Sequence, residues 1–256
     1  MDALGLFRAG KLDQAVEALG SVLRNNPTDS KSRTFLFELL CFAGEYERAE
    51  KHLELLQQES GEAAMGALLY RGALNAERTR RDMFEHKTFP QPDAESSQTA
   101  QIEGTQINGT LNGAPFHSLA DADPRIGSRL EVFAAGDYLW IPWQDIAVLE
   151  LDAPKRLRDL LWAPVRLRTG PNFKNKDLGE LLLPVIAPLS SQHPDDAVKL
   201  GRVSEWCADE AGEEAPFGRK MLLVDGQEFP ILEVRKLEIL NSRTGQATLL
   251  APAQAK

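Results

Sequence analysis

Between Gly136 and Leu167 the chain alternates apolar and polar positions, changes period, then alternates again. Tyr138, Trp140, Pro142 and Trp143 interleave with Leu139 and Ile141. Ile146, Val148, Leu149 and Leu151 carry the pattern to a break at Ala153-Pro154, which predicts β structure. Lys155 to Trp162 sets Leu157, Leu160 and Leu161 against Arg156, Arg158 and Asp159, which predicts one or two helical turns with a charged face. Pro164 ends that turn, Val165 to Arg168 alternates again, and Gly170-Pro171 closes the run. Strand, turn and strand share one buried surface, a domain nucleus that holds three of the four tryptophans.

The N-terminal third has a different period. Ala9-Gly10-Lys11-Leu12-Asp13-Gln14-Ala15 is echoed 34 residues later by Ala43-Gly44-Glu45-Tyr46-Glu47-Arg48-Ala49, the tetratricopeptide spacing. Glycine ends one helix, and the small Ala15 or Ala49 lets the next pack closely. Helices are predicted at Ala3–Ala9, Leu12–Asn25, Ser30–Ala43, Glu45–Glu59 and Glu62–Phe84, with Leu36, Leu40 and Phe42 facing inward. About three repeats make an independent solenoid. This array is shorter, since its first helix is truncated and its third unit lacks the glycine landmark. The helical part should therefore bury one side against the C-terminal domain.

The polar, proline-bearing stretch from Gln91 reads as a linker. The organisation is α+β: a tetratricopeptide-like helical domain at 1–90, a linker at 91–104, and a β-rich domain at 105–250. Asn112-Gly113 and Asp225-Gly226 signal hairpins. Ser118 to Asp121 is expected to cap a short helix. Leu130–Ala134, Leu181–Ile186, Arg202–Trp206, Met221–Val224, Glu228–Val234 and Leu237–Leu240 read as extended, and Pro184 favours an edge or a bulge. The last residues, 251–256, have nothing to bury.

The net charge of −9 argues against sequence-independent nucleic-acid binding, which needs clustered cations. Residues 1–90 hold 12 basic and 14 acidic side chains and the remainder 17 and 24, so seven of the nine excess negative charges lie C-terminally, densest at Glu205, Asp209, Glu210, Glu213 and Glu214. Two isolated cysteines suit a reducing compartment. No run approaches a membrane span and no secretory leader is evident, so the cytoplasm is expected. Phosphate loops, nucleophile elbows and paired-histidine metal motifs are absent, and no cofactor is expected. His117 with Asp121 and Asp123 invites a metal reading, but capping of turns explains the aspartates more simply.

Gly136-Asp-Tyr-Leu-Trp-Ile-Pro142 and Arg156-Leu-Arg-Asp-Leu-Leu-Trp162 resemble the signature of the ImpE family, also called SciE or TagJ, accessory proteins of bacterial type VI secretion. Asp121-Ala-Asp-Pro-Arg125, Leu130-Glu-Val-Phe133, Leu200-Gly-Arg-Val-Ser-Glu-Trp206 and Phe217-Gly-Arg-Lys220 are similar to further family elements in the same order. The chain departs from the family pattern at Gly218-Arg219-Lys220 and Ser204-Glu205-Trp206. The resemblance implies a non-enzymatic adaptor that binds the small subunit of the contractile sheath through that subunit's N-terminal helix and links it to an AAA+ sheath-recycling ATPase.

The first helix of each repeat lines the groove of such arrays, which places Thr34, Glu38, Cys41 and Phe42 there. A glutamate with no Lys/Asn clamp suits an amphipathic helix and disfavours a carboxylate-binding co-chaperone. Arg158 is either an internal ion-pair partner that fixes its turn or a partner contact. The alternative is an enzyme or small-ligand binder, which would need a deep polar pocket in the β-rich domain.

Overall fold

Helices α1 (Ala3–Arg8), α2 (Leu12–Asn25), α3 (Ser30–Phe42), α4 (Tyr46–Gln57) and α5 (Gly61–Glu85) open the chain, close to their predicted bounds. Gly10 and Gly44, at φ +75° and +71°, end α1 and α3 in the left-handed conformation that a side chain resists. Ala15 and Ala49 are fully buried where successive helices meet. The structure is a computed structural model that describes residues 2–58, 61–90, 106–170, 181–208 and 212–240. The expected linker 91–104, Asp209 and Glu210 of the acidic cluster, and the tail 251–256 lie outside the described residues.

The strands are β1 (Gln106–Leu111), β2 (Ala114–Asp121), β3 (Arg129–Ala134), β4 (Asp137–Pro142), β5 (Ile146–Leu151), β6 (Trp162–Thr169), β7 (Leu181–Pro184), β8 (Ser204–Ala208), β9 (Glu214–Gly218), β10 (Met221–Val224), β11 (Gln227–Pro230) and β12 (Lys236–Ile239). Ten of them form one antiparallel sheet in the order β11-β10-β2-β1-β12-β5-β6-β7-β3-β4, and β8 and β9 form a separate ribbon. Side chains from nine of the ten large-sheet strands, including Leu119, Val132, Leu149, Val165, Leu183, Leu222 and Leu237, belong to one apolar cluster. The sheet therefore curls around its own core.

Strands β3 and β7, and the start of β6 at Trp162 and Ala163, are covered on both faces, which accounts for their runs of buried residues. Val132, Ala163 and Leu183 point into the sheet core, while Phe133, Trp162 and Leu182 join the cluster of the helices. The helical part shares that cluster with the β-rich part, as its shortness predicts. It also borrows its caps. Lys11 provides no side-chain cap for α2, and Asp196 of the short helix α6 (Asp196–Lys199) accepts the Leu12 N–H at 2.7 Å. Arg202 donates to the Phe7 and Arg8 carbonyls at the end of α1, at 2.6 and 3.1 Å.

Three expectations need correction. Ser118 to Asp121 is strand β2, because Asp225 of the β10–β11 turn accepts the His117 and Ser118 N–H groups at 2.8 Å and aligns the segment with β10. Pro184 lies at neither edge, since β7 runs between β6 and β3; its missing N–H falls at the strand's last residue, opposite Trp162. Trp140, read with the core, is half-buried, with the Arg129 guanidinium 4.2 Å above its ring.

Candidate functional site

The helical array meets the sheet along two seams. On the first, α5 crosses the β3–β4 turn so closely that a Cβ on Gly72 would stand 3.1 Å from the Gly136 Cα. Further along the helix, Arg80 reaches Glu131 of β3. Glu131 shares the helix-facing side of its strand with Phe133, and Arg80 grips its carboxylate twice, at 2.8 and 3.0 Å, while also donating to the Ile186 carbonyl at 3.0 Å. Lys220 joins Glu131 and Asp121, Tyr138 donates to Glu131, and the Trp140 indole donates to Tyr138. Arg80, Glu131, Lys220 and Asp121 are each at least 96% buried, being 4%, 0%, 1% and 2% exposed.

Burial pushes the Glu131 carboxyl up, but Arg80 and Lys220 outweigh it and hold it down at about 2. Asp121, desolvated and only partly compensated by Lys220, is raised to about 6. Asp121, Glu131, Tyr138, Trp140 and Lys220 come from four of the phrases that carry the family resemblance. The seam thus brings together stretches that are distant in sequence. Sequence reasoning missed this network. Its signal was Glu131, a lone carboxylate inside an apolar strand, which has to find a cation when buried. Next to Asp121, Asp123 accepts from the Arg125 guanidinium at 2.8 and 2.6 Å.

The second seam lies on α3 and contains the predicted groove residues. Thr34 is half-buried and donates to the Ser30 carbonyl of its own helix at 2.9 Å. Glu38, Cys41 and Phe42 are 8%, 3% and 2% exposed, so the surface expected to be open is covered. The cover is the chain's own turn Leu157–Leu160, whose leucines need an apolar seat and whose Arg158 meets Glu38 at 3.5 Å and lies 4.9 Å from the Tyr70 ring centre. Arg158 is therefore an internal ion-pair partner. Burial raises the Glu38 carboxyl to about 7, against the pull of Arg158, and burial also raises the Cys41 thiol.

Beside this contact a cavity of about 370 Å³ remains, lined by Phe7, Phe42, Leu157, Leu160, Leu200 and Leu232. Arg202 and Glu233 bring its rim to the surface. Of the five predicted residues, Phe42 is the one that lines it. A second, polar cavity bordered by Glu77, Arg80, Arg81 and Lys199 measures about 30 Å³.

His117 contacts Asn108 at 3.0 Å and Asp121 contacts Lys220, so the imagined metal cluster does not form. His193 instead approaches Glu205 at 3.4 Å and Cys207 at 3.9 Å. Its Nδ1 accepts the Asp195 N–H at 3.1 Å, so the neutral ring carries its proton on Nε2, the nitrogen that faces both groups. That tautomer offers no lone pair there to a cation. Among the described residues no helix is long and apolar enough to cross a membrane.

The fold defines a class: a truncated tetratricopeptide-like array seated on a curled antiparallel sheet, with an apolar cavity on the seam. A family model described as ImpE protein matches residues 113–238, and one described as tetratricopeptide repeat matches 6–71. The type VI secretion system accessory component TagJ of Pseudomonas aeruginosa is 33% identical to the chain, over 93% of it and 91% of that protein. The chain belongs to the ImpE family. A crystal structure of a Vibrio parahaemolyticus protein shares the fold, with a TM-score of 0.78 at 24% identity over 93% of this chain and 97% of that one.

Proposed function

We propose that this protein is a non-catalytic, cytoplasmic adaptor of a type VI secretion system. It grips the N-terminal helix of the small sheath subunit and links it to the AAA+ sheath-recycling ATPase. The observation that carries the groove's part in this is the 370 Å³ apolar cavity between the helical array and the sheet. An amphipathic helix offers apolar side chains from one face, and a cavity of this size accepts such side chains without admitting the whole helix. The relative's role in type VI secretion supplies the partner class. The enzyme reading asked for a deep polar pocket, and finds less support: the polar cavity holds about 30 Å³ and the cavity of about 370 Å³ is walled mainly by apolar side chains.

Calorimetry with a synthetic peptide of the sheath subunit's N-terminal helix tests the proposal. Leu232→Arg, placed at the half-buried cavity wall, should weaken binding by about tenfold or more while leaving the thermal transition in place. Undiminished binding to that folded variant would remove the groove from the mechanism. Failure of the ATPase to co-purify with the adaptor and sheath subunit would remove the link.

A further inference from the structure

The ribbon of β8 and β9 stands apart from the large sheet, and β8 is its outer strand. Ser204, Glu205, Trp206 and Ala208 are exposed, whereas Ala215, Pro216 and Gly218 of β9 are buried. The register pairs Ser204 with Gly218, Trp206 with Pro216 and Ala208 with Glu214. Proline has no N–H, so Trp206 and Pro216 cannot exchange hydrogen bonds. The bond from the Arg219 N–H to the Val203 carbonyl, at 3.4 Å, gives the same phase. The N–H and C=O groups of Ser204, Trp206 and Ala208 therefore point away from β9, and among the described residues no backbone hydrogen bond from elsewhere meets them. Among the described residues it is an unpaired strand edge of the kind that accepts another strand.

The face above that edge has its own chemistry. Trp206 is 46% exposed. Trp206, Ala208 and Glu214 share one face by register, and the Trp206 indole donates to Glu228 of β11 at 3.4 Å. An exposed indole is thus flanked by two carboxylates, in a chain of net charge −9. Arginine stacks on an indole and pairs with carboxylates at once. A nucleic acid or an anionic membrane would be repelled. A second copy paired edge to edge would bring the same carboxylates together.

We propose that β8 is a strand-addition site for an extended segment of a partner protein that carries Arg or Lys at alternate positions, one of them stacked on Trp206. The outward groups of Ser204, Trp206 and Ala208 supply the ladder, while Glu214 and Glu228 select the charge. This surface is distinct from the helix-binding cavity and does not depend on that cavity's occupant.

The test pans a random-peptide library displayed on phage against the full-length chain, with Trp206→Ala as counter-selection. Enriched peptides should share basic residues at alternate positions, lose about tenfold or more in affinity for the Trp206→Ala protein, and keep more of it for Trp206→Phe. Methylating alternate backbone amides of a selected peptide should abolish binding in one phase and spare it in the other. No enrichment, enrichment without the alternating basic pattern, equal affinity for Trp206→Ala, or indifference to amide methylation would each overturn the proposal. So would a concentration-dependent dimer of the chain alone that Trp206→Ala dissolves. The sheath-subunit helix peptide, run in parallel, should bind the Trp206→Ala protein as it binds the wild type, so failure of the groove and failure of the ribbon are read separately.

Discussion

The two seams use the same chemistry, an arginine and a glutamate across the interface between helices and sheet, and arrive at opposite results. Arg80 holds Glu131 with two bonds of 2.8 and 3.0 Å, Lys220 adds a second cation, and the carboxylate stays charged down to about pH 2. Arg158 approaches Glu38 once, at 3.5 Å, and the carboxyl is pushed up to about 7. Glu131 is the more deeply buried of the two, 0% against 8% exposed, so burial alone would leave it the higher, and geometry and the number of partners decide. A buried charge is tolerated only when its hydrogen-bonding capacity is filled. The α5 seam is therefore a fixed joint. The α3 seam, next to the apolar cavity, carries the weaker ion pair.

The largest effect comes from removing both seams together. Residues 1–90 expressed alone lose the Asp196 cap of α2, the Arg202 contact at α1, and the sheet side chains in the shared cluster. The fragment is expected to be poorly folded, without a cooperative transition in circular dichroism. A cooperative transition near the full-length midpoint would show that the helices do not depend on the sheet, and the contrast between seams would lose its meaning.

Next in size is the joint on α5. Arg80→Ala leaves Glu131 buried with one cation in place of two, and a cost of about 3 to 5 kcal/mol is expected in urea unfolding. Replacing Arg80 and Glu131 together by methionine removes the Glu131 charge and should recover part of that loss, although Lys220 must then rely on Asp121 alone and buried Glu77 loses its Arg80 partner at 3.5 Å. If the double variant is no better than the single one, the network is needed as a unit, and the comparison with α3 is sharper than pairwise geometry suggests.

Legibility in the sequence divides along the same line. Local signals placed the helices: the Gly10/Gly44 repeat and the apolar periodicity. The two Asx-Gly hairpins were equally readable, with Asn112 and Asp225 at positive φ. Residue identity placed the family. The exposure of the groove was not readable, because its filling turn comes from about 120 residues further along the chain and periodicity carries no information at that range. Glu38 reads as a rim charge in its own helix and becomes buried only when Leu157 and Leu160 dock. Glu131 fails in the opposite direction: within Leu130-Glu-Val-Phe133 it marks a buried charge, but nothing local names Arg80 and Lys220 as its partners. The edge of β8 depended on a single residue, Pro216, whose meaning appears only once its register against Trp206 is known.

The smallest effect tests the weaker seam directly, through pH. Glu38 titrates near 4.5 when unfolded and near 7 when folded. Its contribution to stability is fully present below about pH 4.5 and declines as pH rises toward 7, because the folded state holds the proton more tightly in that window. Asp121, raised to about 6, has the same sign, while Glu131, lowered to about 2, adds stability that is lost only on acidification below its ordinary range. Both remain in a Glu38→Gln variant, so the difference between variant and wild type isolates Glu38. That difference should be flat at acidic pH and then shift in favour of the variant by about 2 kcal/mol between pH 5 and 8, read from urea unfolding at several pH values. The amide keeps the shape of the carboxyl and removes only its ionisation, so loss of packing does not enter. Parallel stability curves for the two proteins would mean that Arg158 holds Glu38 charged throughout, and the two seams would then be alike.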